Sequence, residues 1–316
     1  MSYELSIVIP CKNEESTVPI LYQQLEAVRS TMGAVSFEYL FVNDGSADGT
    51  LSILKQLSEK DRHVHFLSFS RNFGKEAAIF AGLTHASGSC IAIMDADLQD
   101  PPELLPELYK AVTEEGYDCA GTRRVNRKGE PPLRSLFARL FYRMIRRTGR
   151  TMIPDGARDY QLMNRKVCSA ILSLGEYNRF FKGISNWVGY RKKWIEFENR
   201  ERAAGETKWT FGQLTLYAID GMLSFSTAPL VFASIIGSVF CLVAFFLIIF
   251  IIIKTLVFGD PTSGWPSMVC LIMMVSGVQL FCIGILGQYQ AKTYLETKRR
   301  PLYLLDEQFL GEDTEE

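Results

Sequence analysis

Cys90-Ile-Ala-Ile-Met-Asp95-Ala-Asp97-Leu-Gln-Asp100-Pro-Pro-Glu103 begins as an apolar run and ends in acids and prolines. A short apolar run closed by turn residues reads as a strand buried on both faces, and Asp100-Pro-Pro-Glu103 has the look of a helix start. Working outward, the same unit recurs. Strands are expected near 5–10, 36–43, 63–69, 90–95 and 117–121, and helices near 16–31, 48–60, 74–86 and 101–115. That alternation is the βαβ rhythm of a Rossmann-like, mostly parallel α/β sheet with helices on both faces. Ligands of such sheets sit beyond the carboxyl ends of the strands. There the chain is polar: Lys12, Asn13, Glu14 and Glu15 after the first strand, Asn43, Asp44, Ser46 and Asp48 after the second, Arg71, Asn72 and Lys75 after the third.

Asp95 and Asp97 bring two carboxylates to the sheet edge, hard oxygen ligands suited to Mg²⁺ or Mn²⁺ shared with a diphosphate. Asp44 reads as a binder of a nucleobase imide or ribose, and Asp48 as a helix cap. No GxGxxG and no GxxxxGK[ST] is present, so dinucleotide redox and P-loop chemistry lack their usual evidence. His63, His65 and His85 stand singly, with no carboxylate partner at helix spacing, and receive no chemistry; a Ser-His-Asp hydrolase is unsupported. The seven cysteines are scattered without a CxxC, and nothing in their spacing points to a disulfide framework or a zinc site.

The 316 residues carry 34 basic and 35 acidic side chains, yet 221–291 hold two charges, Lys254 and Asp260. The chain opens Met-Ser-Tyr-Glu and enters a strand at once, without a basic n-region or cleavage site, so the first domain is expected in the cytosol. Segments 228–253 and 266–291 are uncharged, each about 39 Å long as a helix against a hydrocarbon core of roughly 30 Å. They read as a two-helix transmembrane hairpin with an outer turn at 254–265. Lys292, Lys298, Arg299 and Arg300 follow the second span, which places both termini in the cytoplasm. The expected organisation is a cytoplasmic domain over 1–225, membrane helices within 226–291 and a cytoplasmic tail over 292–316, its acids (Asp306, Glu307, Glu312, Asp313, Glu315, Glu316) a solvated end. Within 131–150, Leu133, Leu136, Phe137, Leu140, Phe141, Met144 and Ile145 form a helical stripe flanked by Arg134, Arg139, Arg143, Arg146 and Arg147. Such a helix fits the interface of an anionic bilayer, and 209–225 adds a second juxtamembrane stretch.

Ile7-Val-Ile-Pro-Cys-Lys-Asn-Glu-Glu15, Val42-Asn-Asp-Gly-Ser46, Ser70-Arg-Asn-Phe-Gly-Lys75 and Asp95-Ala-Asp-Leu-Gln-Asp-Pro-Pro102 together resemble the family-2 inverting glycosyltransferases of GT-A fold, in their polyprenyl-phosphate subgroup. The resemblance covers essentially the whole chain. It implies a nucleotide-diphosphate sugar donor, with Pro10, Asn13, Glu14 and Asp44 at the nucleoside, Asp95 and Asp97 at metal and diphosphate, Gln99 beside the sugar, and Lys75 and Arg123 among the substrate-binding residues. Asp159, in Asp155-Gly-Ala-Arg-Asp159, matches the catalytic carboxylate, with Asp155 the alternative. Arg202 and Lys208 match a basic loop laid over the diphosphate and the acceptor phosphate.

What the resemblance implies is transfer of one sugar, uridine-linked and glucose or a related hexose, to membrane polyprenyl (undecaprenyl) phosphate with inversion, for cell-envelope glycosylation. Membrane lipid is a further expected partner and nucleic acid is not; association of copies through the membrane helices is left open. Two alternatives stand beside this. A processive polysaccharide synthase is disfavoured by the lack of QxxRW and by two spans. A non-catalytic nucleotide-sugar-binding scaffold would bind donor tightly without transferring sugar.

Overall fold

The computed structural model describes residues 3–125, 154, 156–198, 228–258 and 264–311. The amphipathic segments expected at 131–150 and 209–225, residues 259–263 of the outer turn, Asp155, Arg202, Lys208 and the tail acids beyond 311 lie outside the described residues. The chain divides into two compact units, one holding a sheet and the other two long helices.

The strands are β1 (Leu5–Cys11), β2 (Phe37–Asn43), β3 (Val64–Phe69), β4 (Cys90–Ile93), β5 (Cys119–Arg124), β6 (Ala157–Asn164), β7 (Lys192–Phe197) and β8 (Leu305–Phe309). They form one sheet in the order β7-β5-β6-β4-β1-β2-β3-β8. Its centre is parallel: Leu5 is in register with both Phe37 and Cys90, and Tyr39 with Val64. Strands β2, β3 and β4 are buried at every position, which is why they read as apolar runs rather than as alternation. The helices that cover them are α1 (Val18–Thr31), α2 (Thr50–Lys60), α3 (Lys75–His85) and α4 (Leu105–Thr113). α1 begins with Pro19 in its first turn and buries Val18, Leu21, Leu25 and Val28, one stripe at helical spacing. α3 instead buries small residues, and a Cβ on Gly82 would stand 2.1 Å from Val8 Cγ1. The helix therefore lies close on β1, which brings its first residue, Lys75, to the strand ends.

The expected parallel progression breaks after β4. β5 does not join β4; β6 enters between them, antiparallel to both, with Ile93 opposite Gln161 and Cys119 opposite Met163. The string Ala-Arg-Asp-Tyr-Gln-Leu-Met-Asn of β6 gave no clear strand signal, since polar Arg158, Asp159 and Gln161 interrupt its apolar positions. Asp306 and Glu307 are exposed, as expected of a solvated end, but they also belong to a strand the sequence did not suggest, β8, which pairs antiparallel with β3. An open sheet edge exposes unpaired backbone groups. β8 covers that edge, stacks Phe309 on Phe66 and pairs Glu307 with Lys55.

Two shorter helices, α5 (Arg165–Leu172) and α6 (Phe181–Trp187), complete this unit. Among the described residues the second unit holds α7 (Ala228–Phe258) and α8 (Trp265–Lys298), which cover the two uncharged segments. Leu230–Leu247 of α7 is long and apolar enough to cross a membrane. Val231, Phe232, Ile235 and Val239 of α7 and Ile272, Leu280, Phe281 and Ile283 of α8 are exposed. The two helices touch, with Cys282 Sγ 3.8 Å from the Ala233 carbonyl oxygen.

The turn after β2 needs its glycine. Gly45 has φ +59°, and a Cβ there would stand 2.4 Å from Arg71 C and 2.6 Å from Asn72 N. Gly45→Ala is expected to destabilise the protein by at least about 1–2 kcal/mol from the left-handed conformation alone. It should also lower activity, because the displaced loop carries Lys75; wild-type denaturation midpoint and turnover would contradict this.

Candidate active site

Three loops at the carboxyl ends of the parallel strands, those after β1, β2 and β3, are cross-tied by hydrogen bonds. Asn13, in the left-handed region at φ 56°, donates its N–H to Ser46 Oγ (3.0 Å), and its Oδ1 accepts from Ala47 N (2.8 Å). Glu14 N donates to Thr50 Oγ1 (2.9 Å), and Glu15 Oε2 accepts from Gly49 N (2.8 Å). Asp48 accepts from Thr50 N (3.1 Å), but the cap position of α2 is Gly49 and no side chain caps it, so the capping role expected for Asp48 is not seen. Asp44 is buried, and its carboxylate accepts from Phe73 N (2.7 Å) and Gly74 N (3.0 and 3.1 Å). Burial pushes the Asp44 carboxyl up, against the pull of those two amides. It thus fixes the turn into α3, a structural task its place after a strand did not reveal.

The centre of the site is a knot of alternating charge. Lys75 Nζ lies 2.6 Å from Asp95 Oδ1, 2.8 Å from Asp95 Oδ2 and 2.7 Å from Asp159 Oδ2. Lys182 Nζ stands 3.8 Å from the same Asp159 oxygen. The register explains the meeting: continuing two residues beyond the Ile93–Gln161 pair brings Asp159 opposite Asp95. Two carboxylates facing across neighbouring strands repel unless a cation lies between them, and Lys75 is that cation. Its own ammonium is driven upward: burial opposes its charge, but Asp95 and Asp159 prevail. For Asp159, burial works against ionisation, yet Lys182 and Lys75 outweigh it and hold the carboxyl well below the usual range.

A second pair lies beneath. Arg158 Nε donates to Asp100 Oδ1 at 2.8 Å, with the Asp100 side chain fully buried. Asp100 Oδ2 accepts from Asp95 N at 3.4 Å, and the Arg158 guanidinium reaches Gln99 Oε1 at 3.4 Å. Asp97 Oδ1 accepts from Gln99 N at 3.1 Å. The 95–100 loop is thus held by its own acids and by β6. Arg158 and Asp159, adjacent on one strand, point to opposite faces and serve the loop and the site respectively.

Glu76 Oε2 accepts from Phe181 N at 2.8 Å, so the start of α3 is tied to the start of α6. Burial, and then the charge on Asp159, push the Glu76 carboxyl up to about 7. From its unfolded value of 4.5 up to about 7, the folded protein keeps a proton that the unfolded chain has lost, so stability falls as pH rises through that window. Glu76→Gln keeps the acceptor and should flatten the slope, leaving the variant more stable than wild type above about pH 7 in denaturant titrations. An unchanged slope would contradict this.

Of the residues expected at the site, the structure brings together Lys75, Asp95, Asp97, Gln99 and Asp159, with Asn13, Glu14 and Asp44 on the adjoining loops. Pro10 lies in β1, in register with Val42. Arg123 is ion-paired with Glu196 of β7 and is 40% exposed. Arg158, Lys182 and Glu76 escaped the sequence reading, and Asp100 was read only as part of a helix start. Only the charge of Arg158 beside Asp159 hinted at them. The histidines, too, have partners that helix spacing could not show: His63 Nδ1 is 2.7 Å from Asp61 Oδ1, and His65 Nδ1 is 3.1 Å from Glu38 Oε1. Both pairs lie away from the strands' carboxyl ends.

Residues 6–172 match the model of the family described as Glycosyl transferase family 2. An uncharacterized glycosyltransferase, sll0501, of Synechocystis is 40% identical over 307 residues, covering 97% of this chain and 96% of that protein. The bactoprenol glucosyl transferase of Shigella phage SfX is 40% identical over 302 residues, covering 96% of this chain and 98% of that protein. Among solved structures, glucosyl-3-phosphoglycerate synthase from Mycobacterium tuberculosis, in complex with Mn²⁺, UDP-glucose and phosphoglyceric acid, is 20% identical with a TM-score of 0.48, covering 70% of this chain and 79% of that one. The matched segment runs from β1 to the end of α5 and includes every carboxylate of the charged knot, and relatives this similar span nearly the whole chain: it belongs to glycosyl transferase family 2.

Proposed function

We propose that this protein transfers a single sugar from a nucleotide-diphosphate sugar to a polyprenyl phosphate at the cytoplasmic face of a membrane, with inversion at the anomeric carbon. The observation that carries the reading is the Lys75-bridged pair Asp95–Asp159 at the strand ends of a family-2 fold. The name of the phage SfX relative supports a polyprenyl phosphate acceptor and a glucosyl donor. The apolar stretch Leu230–Leu247 supports a membrane location, and α8 is proposed as the second span, with both termini cytoplasmic. A uridine diphosphate hexose is the proposed donor.

In this mechanism an acceptor phosphate oxygen attacks the anomeric carbon in line, while the bond from that carbon to the donor's β-phosphate oxygen breaks and its electron pair leaves with the nucleoside diphosphate. The second pKa of a phosphate monoester is about 6, so the acceptor is already ionised near neutrality and needs little help from a base. Asp159, held ionised by its two lysines, is a poor proton acceptor and acts by orienting charge. Lys75 keeps Asp95 and Asp159 at fixed separation. Asn13, Glu14 and Asp44 shape the nucleoside side, Gln99 flanks the sugar, and Arg123, Arg202 and Lys208 are the proposed anion ligands.

Asp95 and Asp97 would hold a divalent cation. Among the described residues no group of three His, Cys, Asp or Glu side chains could hold one alone. That set fits Mg²⁺ or Mn²⁺, which bind through one or two carboxylates and complete their shell with substrate phosphates and water. Such an ion supplies stabilisation of charge on the departing diphosphate. The test is incubation of the purified protein with undecaprenyl phosphate and a panel of nucleotide sugars, with Mg²⁺, with Mn²⁺ and with EDTA. One donor should release nucleoside diphosphate in an acceptor- and metal-dependent manner; release from none, or release indifferent to EDTA, would refute the reading.

A further inference from the structure

Three cations surround the acids of the site, and two are already engaged. Arg158 is paired with buried Asp100. Lys75 binds both Asp95 and Asp159. Lys182 differs: its Nζ is 3.8 Å from Asp159 Oδ2, beyond hydrogen-bond length, and this is its one ion pair among the described residues. Its side chain is 22% exposed, so a group arriving from solvent can reach it. The nearby Arg179 is not comparable, because its guanidinium is bound to the carbonyls of Leu174 and Ile171 and lies over the Phe80 ring.

Lys182 is also held in place. The preceding residue, Phe181, donates its N–H to Glu76 Oε2, and Glu76 follows Lys75 in α3. The two lysines that flank Asp159 are therefore set by one helix start and its bonded neighbour. An anion that must come close to Asp159 meets a full negative charge, and the repulsion is large in a partly buried site unless a cation stands alongside.

We propose that Lys182 binds the acceptor's phosphate, donating from its ammonium group to a phosphate oxygen while Lys75 continues to pair Asp159. This rests on the polyprenyl phosphate reading above. Lys182→Gln keeps the length of the side chain and removes its charge. With undecaprenyl phosphate and the donor that the wild type uses, its KM for the lipid should rise by about tenfold or more, the scale of one charge-assisted hydrogen bond. The KM for the donor should change far less than the KM for the lipid. Lys182→Arg should recover most of the lipid affinity. If Lys182→Gln instead lowers kcat and donor hydrolysis together and leaves the lipid KM unchanged, Lys182 serves Asp159 alone and the proposal falls. If the wild type glycosylates no polyprenyl phosphate with any donor, the reading and the proposal fall together.

Discussion

Asp159→Asn is expected to lower turnover about a hundredfold, about 2.7 kcal/mol of transition-state stabilisation, with little change in donor KM. The substitution preserves shape and removes charge. Lys75 loses one of its two carboxylates and Lys182 its one ion pair among the described residues, so the cations that organise the site redistribute towards Asp95. The pH profile separates this role from that of a general base. Because Lys182 and Lys75 overcome the cost of burial and keep the Asp159 carboxyl well below the usual range, it does not titrate in the working range. The acid limb of kcat should reflect the acceptor's ionisation, near pH 6, in wild type and variant alike. Disappearance of that limb in the variant would make Asp159 a base; near-wild-type turnover at saturating acceptor would remove it from the reaction.

Arg158→Ala should show the largest loss of stability. Asp100 is fully buried, the Arg158 side chain is 12% exposed, and their contact is 2.8 Å. Removing one member of a buried ion pair strands the other, at a cost of about 3–5 kcal/mol. For a domain of this size that is a fall in Tm of about 6–20 °C. Burial already pushes the Asp100 carboxyl up against the pull of Arg158, so without the guanidinium it would take up a proton. Donor binding should weaken as well, because Asp100 accepts from Asp95 N and Arg158 steadies Gln99. The double variant Asp100→Asn, Arg158→Met should regain most of the Tm, since replacing both partners leaves no stranded charge. A single-variant loss below about 1 kcal/mol, as at a surface pair, would show that the pair is not buried in solution.

The sequence made the parallel centre legible because β1 to β4 are buried on both faces and so appear as apolar runs, each followed by a polar loop. The acids that end those strands were found for the same reason. Contacts between loops were not legible. Nothing in the sequence around Asp44 showed that its oxygens receive the amides of Phe73 and Gly74, a bond across thirty positions of sequence. β6 was hidden because Arg158, Asp159 and Gln161 break up its apolar run, and its place between β4 and β5 is what sets Asp159 against Asp95. β8 was hidden because an acidic segment becomes a strand only where another edge, here β3, offers it backbone partners. Lys182 could not be anticipated from spacing, since its position depends on the Glu76–Phe181 bond between two helices.

The mass of the lipid formed from undecaprenyl phosphate and the accepted nucleotide sugar tests the central claim most directly. The account predicts a single product, heavier than the acceptor by one sugar residue and keeping its phosphate. A ladder of masses, a free sugar, or a product formed equally well when Asp95 and Asp159 are both replaced by Asn would contradict it.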